Sequence, residues 1–66
     1  MEITVNGQLH QVQENDTILQ LIHTLGLENK RLAVEMNSTI VPRSQFETRI
    51  LTQGDKIEIV QAIGGG

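Results

Sequence analysis

The sequence predicts an α+β domain in which a small mixed sheet of four to five strands packs on one α-helix. Three observations carry that prediction. Apolar residues alternate with a period of two near both ends of the chain, the spacing changes once to that of a helix face after Thr17, and glycine- or asparagine-containing turns separate the segments. One short helix and several short strands can bury their apolar sides only against one another, which gives two layers.

The first hairpin is the clearest element. Ile3 and Val5 alternate with Glu2 and Thr4, and Asn6-Gly7 follows, a pair that readily takes the positive φ values of a two-residue hairpin turn. A turn of that length sets Val5 opposite Gln8, Ile3 opposite His10 and Met1 opposite Val12, so Val12 joins the buried side and Leu9 shares the other side with Thr4. A bulge between Leu9 and Val12 is the alternative way to bring both valine and leucine into one pattern. His10 falls inward near the rim and has no neighbour in sequence that would make it a ligand or base.

After a turn at Glu14 to Asp16, Thr17 and Gln20 have the spacing of a capping box, and Ile18, Leu21, Ile22 and Leu25 fall on one helix face. Gly26 suits the left-handed position that ends a helix, and Leu27 can pack back on the last turn. A helix of about nine residues is unstable alone and must lie across the sheet. His23 is expected on its solvent side. From Arg31 the period returns to two, with Leu32, Val34 and Met36 inward. Asn37-Ser38 is a turn, and Thr39 to Val41 is an edge strand stopped by Pro42. Ser44 and Glu47 repeat the capping-box spacing, which predicts a helical turn over 44–49 that tucks Phe46, with Ile50, under the sheet. Arg43 reads either as a solvated residue beside a turn or as a guanidinium offered to an acidic partner. The last strand is expected from Lys56 to Ile63, with Ile57 and Ile59 inward and Glu58 and Val60 outward. Val60 and Ala62, with Leu9 and Thr4, supply apolar atoms to the uncovered face, a docking surface if strand order makes them neighbours.

Composition narrows the chemistry. The 66 residues allow one domain with a small core. Cysteine is absent, which excludes a disulfide scaffold, a thiol nucleophile and a cysteine-rich zinc site. Eight acidic and five basic residues give a net charge of -3 with no basic cluster beyond Lys30-Arg31, so nucleic acid is not an expected partner. The single aromatic residue, Phe46, cannot build a base-stacking platform. No apolar run approaches the roughly 20 residues of a membrane span, and the acidic, alternating start does not resemble a signal peptide; a soluble, cytoplasmic protein is expected, with no membrane partner.

An enzyme needs a nucleophile, base or metal constellation, and none is visible. Ser38 and Ser44 read as a turn residue and a cap rather than as carriers of a prosthetic group. His10 and His23 do not have a metal spacing. No metal or cofactor site is expected in this chain. What remains is the end, Ala62-Ile63-Gly64-Gly65-Gly66. Glycines bring no burial and no acid or base, and their ordering costs the most backbone entropy. The bland reading is a frayed terminus. The functional one is an arm whose reactive group is the carboxylate of Gly66, and five extended residues reach roughly 17 Å into another protein's cleft.

In order along the chain, Val5-Asn6-Gly7, Thr17-Ile18, Ala33-Val34-Glu35-Met36-Asn37, Ile40-Val41-Pro42-Arg43, Gly54-Asp55 before Ile57-Glu58-Ile59-Val60, and the Gly-Gly end resemble the ThiS family of sulfur carriers of thiamine biosynthesis, with the ubiquitin-like β-grasp fold. The resemblance covers essentially the whole chain. It implies a β-grasp domain over 1–63 and a flexible glycine tail over 64–66. It also implies a carrier that is not itself an enzyme and that binds no cofactor. A ThiF-like adenylyltransferase would use ATP and Mg to adenylylate Gly66, a sulfur-donating enzyme would convert it to the thiocarboxylate, and a ThiG-like thiazole synthase would receive the sulfur. Gly65 and Gly64 would line the route into the partner, and the free carrier is expected to be monomeric. The small subunit of molybdopterin synthase shares the fold and the Gly-Gly carboxylate, but those chains are usually longer and richer in aromatic residues. A protein-modifying ubiquitin-like conjugate and a β-grasp interaction module with an inert tail are the further alternatives.

Overall fold

Asn6 and Gly7 reverse the chain with φ values of 50° and 82°, both in the left-handed region that a tight hairpin turn requires. Around that turn, β1 (Glu2–Val5) pairs antiparallel with β2 (Gln8–Gln11), with Val5 opposite Gln8 and Ile3 opposite His10, the expected register. Reciprocal bonds between Met1 and Val12, each 2.9 Å, extend the pairing beyond β2 without a bulge. This computed structural model describes residues 1–61.

The helix α1 (Ile18–Thr24) has seven residues, nine with its caps Thr17 and Leu25. Its first-turn amides, which no helix can satisfy internally, all find acceptors. Ile18 N–H donates to Arg49 O at 3.0 Å and Leu19 N–H to Phe46 O at 2.9 Å, while Gln20 N–H donates to Thr17 Oγ1 at 3.2 Å. Gln20 Oε1 in turn accepts from Thr17 N–H at 2.8 Å, completing the capping box. At the other end Gly26 (φ 74°) donates to His23 O and Leu27 to Ile22 O, each at 3.0 Å, the paired bonds that close a helix through a left-handed glycine.

The remaining strands are β3 (Leu32–Met36), β4 (Thr39–Val41) and β5 (Lys56–Gln61), and the sheet order is β2-β1-β5-β3-β4. The pairing of β1 with β5 is parallel and the rest are antiparallel. The expected continuation of the last strand through Ala62 and Ile63 lies outside the described residues. Ile3, Val5, Val34, Met36, Val41, Ile57 and Ile59 form the inward face of the sheet and are buried with Ile18, Leu21 and Ile22 of the helix and with Phe46 and Leu51. This is the α+β arrangement of five strands and one helix that the periodicity predicts.

The segment after β4 departs in detail. The helical turn expected over 44–49 occurs as a 3-10 turn at Arg43–Gln45, followed by bonds from Thr48 N–H and Arg49 N–H to Gln45 O. Ser44 lies inside the 3-10 turn rather than capping it, and no side chain caps its start. Pro42, held at φ -62°, sets the entry conformation two residues earlier than the Ser44–Glu47 spacing suggests. Ile50 is half exposed and forms a bridge with Thr17, whereas the adjacent Leu51 is buried and donates its N–H to Asp16 O at 2.8 Å.

Candidate functional site

The proposed reactive group, the carboxylate of Gly66, and its neighbours Gly65 and Gly64 lie outside the described residues. What the fold supplies is the base from which that segment departs, the C-terminal end of β5. This strand is central, with β1 on one side and β3 on the other. Leu32 is the register partner of Gln61 and Ala33 of Val60, so β3 supports β5 to its last residue. On the other side the backbone of β1 reaches only as far as Asn6, whose N–H donates to Ile57 O at 2.9 Å. Beyond that point the Asn6 side chain takes over. Its Nδ2 donates to Ile59 O at 3.1 Å and its Oδ1 accepts from Ile59 N–H at 2.9 Å, so the amide imitates one more peptide unit of a parallel strand.

A second asparagine plays a related part at the start of β5. Asn37 opens the β3–β4 turn with φ 52°, followed by Ser38 at φ 71°. Asn37 Oδ1 accepts from Lys56 N–H at 2.9 Å and Nδ2 donates to Asp55 Oδ1 at 3.0 Å. Asp55 is buried, and its carboxylate also accepts from Thr52 N–H at 2.8 Å and Thr52 Oγ1 at 3.1 Å. A buried carboxylate is tolerable where donors replace its lost hydration, as they do here. Sequence reading saw only a turn in Gln53-Gly54-Asp55; the buried network depends on Asn37, far away in sequence, and no local pattern announces it.

The uncovered face of the sheet carries Leu9, Ile40 and Val60, at 69%, 70% and 62% exposure. Strand order separates Leu9, which lies opposite Thr4 on the β1–β2 side, from Val60. Val60 instead faces Ala33, and Ile40 faces Glu35, so the apolar strip is Val60, Ala33 and Ile40 across β5, β3 and β4. Glu35 and Glu58 stand directly opposite each other on this face, with Lys56 Nζ 4.0 Å from Glu58 Oε1. Like charges facing across a sheet oppose folding slightly, so packing does not account for the pair.

The other candidates are dispersed. His10 is partly buried opposite Ile3, and His23 is exposed on α1. Arg43 is exposed and donates through Nη2 to Lys30 O at 3.3 Å, so part of its donor capacity is used within the chain. Ser38 and Ser44 are exposed in a turn and in the 3-10 segment. Among the described residues no group of three or more His, Cys, Asp or Glu could hold a metal ion. No helix among them is long and apolar enough to cross a membrane.

Comparison with known proteins places this geometry. The sequence model of the ThiS family matches residues 2–66. The chain is 35% identical to the sulfur carrier protein ThiS of Escherichia coli over 66 residues, covering all of both chains. It is 38% identical over 66 residues to a thiazole synthase of Paramagnetospirillum magneticum, covering all of this chain but 20% of that one, so it spans about one fifth of the length of that relative. Among solved structures, the thiamine biosynthesis protein ThiS of Geobacter metallireducens superposes with a TM-score of 0.84 at 29% identity, with full coverage of both chains. The mixed five-stranded sheet on one helix is therefore the ubiquitin-like β-grasp arrangement of these proteins, and the chain belongs to the ThiS family.

Proposed function

We propose that this chain is a sulfur carrier for thiazole synthesis in which Gly66 is the acceptor of the sulfur atom. The observation that carries the reading is a family match that runs through Gly66 and includes the whole glycine end. A free carboxylate is a poor acyl donor, because its negative charge repels a nucleophile and oxide is a poor leaving group. An activating enzyme therefore joins the carboxylate to the α-phosphorus of ATP, and pyrophosphate leaves. A donor with sulfur at the sulfide level then attacks the acyl carbon, AMP departs, and a thiocarboxylate remains on Gly66. ATP, magnesium and the chemistry that activates them belong to the ThiF-like partner; this chain contributes the carboxylate and the means of being recognised. Glycine at the last three positions lets the backbone pass between close walls with no Cβ at the reacting carbonyl.

The receiving partner in this reading is a thiazole synthase. Support comes from the thiazole synthase relatives in which a region similar to this chain is part of a much longer polypeptide. A carrier joined to its acceptor gains effective concentration, while a separate carrier must dock by its own surface. The strip of Val60, Ala33 and Ile40 with Glu35 and Glu58 is the surface we assign to that docking, since it adjoins the root of the tail and contributes little to the core.

Mass spectrometry tests the assignment. After incubation with ATP, magnesium, the activating enzyme and a sulfide-level donor, the intact chain should gain the mass difference between sulfur and oxygen, and fragmentation should place it on Gly66. Failure of Gly66 to acquire either adenylate or sulfur would sink the reading. Deleting Gly66 should leave the unfolding midpoint nearly unchanged and abolish loading, because the reaction geometry is set by backbone position.

A further inference from the structure

From the paired bonds between its side chain and Ile59, we infer that Asn6 is a positioning residue for the terminal carboxylate, acting through the root of the glycine tail. The inference rests on the carrier function proposed above. Without those bonds, support for β5 on the β1 side would end at Ile57 O, the acceptor of Asn6 N–H. The hold on that side would retreat by two residues, about 7 Å of extended chain. Ile59 through Gln61 would then be held by β3 alone, and an arm anchored on one flank swings through a wider cone than an arm anchored on both.

Asn6 is well chosen for this work. Its backbone, at φ 50°, has begun the reversal into β2, so β1 has no further peptide unit to offer β5. An asparagine amide carries both a donor and an acceptor on one planar group, which lets it copy the peptide that is missing. Aspartate has the same shape and lacks the donor. Glycine accepts the same φ and lacks both groups.

The molecule contains its own control. Asn37 makes the matching contact with β5 at its opposite end, through Lys56 N–H and Asp55, and also sits at positive φ. Removing either side chain weakens the hold on the central strand, but only Asn6 lies next to the tail root.

The experiment compares wild type with Asn6→Gly, Asn6→Asp and Asn37→Gly, each verified as folded, in steady-state loading of sulfur by the activating enzyme with ATP, magnesium and a sulfide-level donor. Amide hydrogen exchange is followed in the same proteins. Asn6→Gly should lower kcat for loading by about tenfold or more, since small misplacements of a reacting group carry large rate penalties. Its KM should stay within about twofold, because the docking face is untouched. Exchange at Ile59 N–H should accelerate in Asn6→Gly more than exchange in β3, whereas in Asn37→Gly the acceleration should appear at Lys56 and loading should match wild type. If Asn6→Gly fails to fold, Asn6→Asp carries the comparison, with the same direction of change in kcat. Equal loading by wild type and the Asn6 variants, or an equal loss of loading in Asn37→Gly, overturns the inference. A wild-type chain that cannot be loaded defeats the carrier reading instead, and unchanged exchange at Ile59 in the Asn6 variants then defeats the structural claim independently.

Discussion

The two faces of the sheet are built from the same strands and differ in what they are asked to do. On the covered face Ile3, Val34 and Ile57 are at most 1% exposed, while on the open face Ile40 and Val60 stand at 70% and 62%. Both faces use branched apolar residues of similar size. The covered face has no carboxylate among them, whereas the open face interleaves them with Glu35 and Glu58, set directly opposite each other. Stability is therefore concentrated on one side of β5 and β3, and the other side is free of the demands of core packing. The lesson concerns position rather than residue type: neighbouring residues of one strand, Ile59 and Val60, fall under different constraints because the pleat turns them to opposite sides.

The sharpest way to break that contrast is to truncate on both sides of one strand. Ile59→Ala should lower the free energy of unfolding by about 2–5 kcal/mol, the range for a buried large-to-small change. An unchanged denaturation midpoint would mean that the covered face does not bear the stability. The next effect comes from Asp55→Ala, which strands the Thr52 N–H, Thr52 hydroxyl and Asn37 amide donors. Equilibrium denaturation should register about 1.5–3 kcal/mol of destabilisation, the usual net worth of hydrogen bonds to a charged group. Glu35→Lys should act in the opposite sense, stabilising by about 0.2–1 kcal/mol by turning a like-charge cross-strand pair into an opposite one. That gain should shrink in added salt, and a thermal midpoint that ignores ionic strength would rule out charge as its cause. The smallest change belongs to Val60→Ala, within about 0.5 kcal/mol by denaturation, yet it should raise the KM of the carrier in loading or transfer assays. Loss of stability without any change in KM would reverse the roles given to the two faces.

Local pattern made most of the body legible. The Asn6-Gly7 turn, the Thr17–Gln20 capping box and the Gly26 stop are short-range devices, and each occurs as the sequence implies. The inward residues of β3 and β5 follow from alternation because one face of the sheet is covered. What sequence could not deliver are contacts between distant segments. Leu51 follows a half-exposed isoleucine and belongs to no periodic run, and its burial depends on the bond that draws it to Asp16. Leu9 and Val60 look equally suited to one patch, but β1 lies between their strands, and the register sets Leu9 in line with Thr4 and Lys56 rather than with Val60. The glycine end, proposed from sequence alone, lies outside the described residues, whereas the bonds from Asn6 to β5 are not legible in sequence: Asn6 reads as a turn residue, and its second contact appears only when Ile59 is beside it.

The parallel pairing of β1 with β5 is also the contact of the sheet that spans most of the sequence. The β1–β2 and β3–β4 hairpins are local and can each form within about 1–10 μs, but neither touches the other across the sheet. β5 joins them, and its register with β1, Thr4 beside Lys56, requires closure of nearly the whole chain. Long closures slow folding because their entropy is spent before the contacts are made. The strand that leads to the glycines is thus the central strand of the sheet, with one hairpin on each side. The core is therefore closed by the strand that precedes the glycines, and a chain that lacks this pairing leaves its two hairpins unjoined.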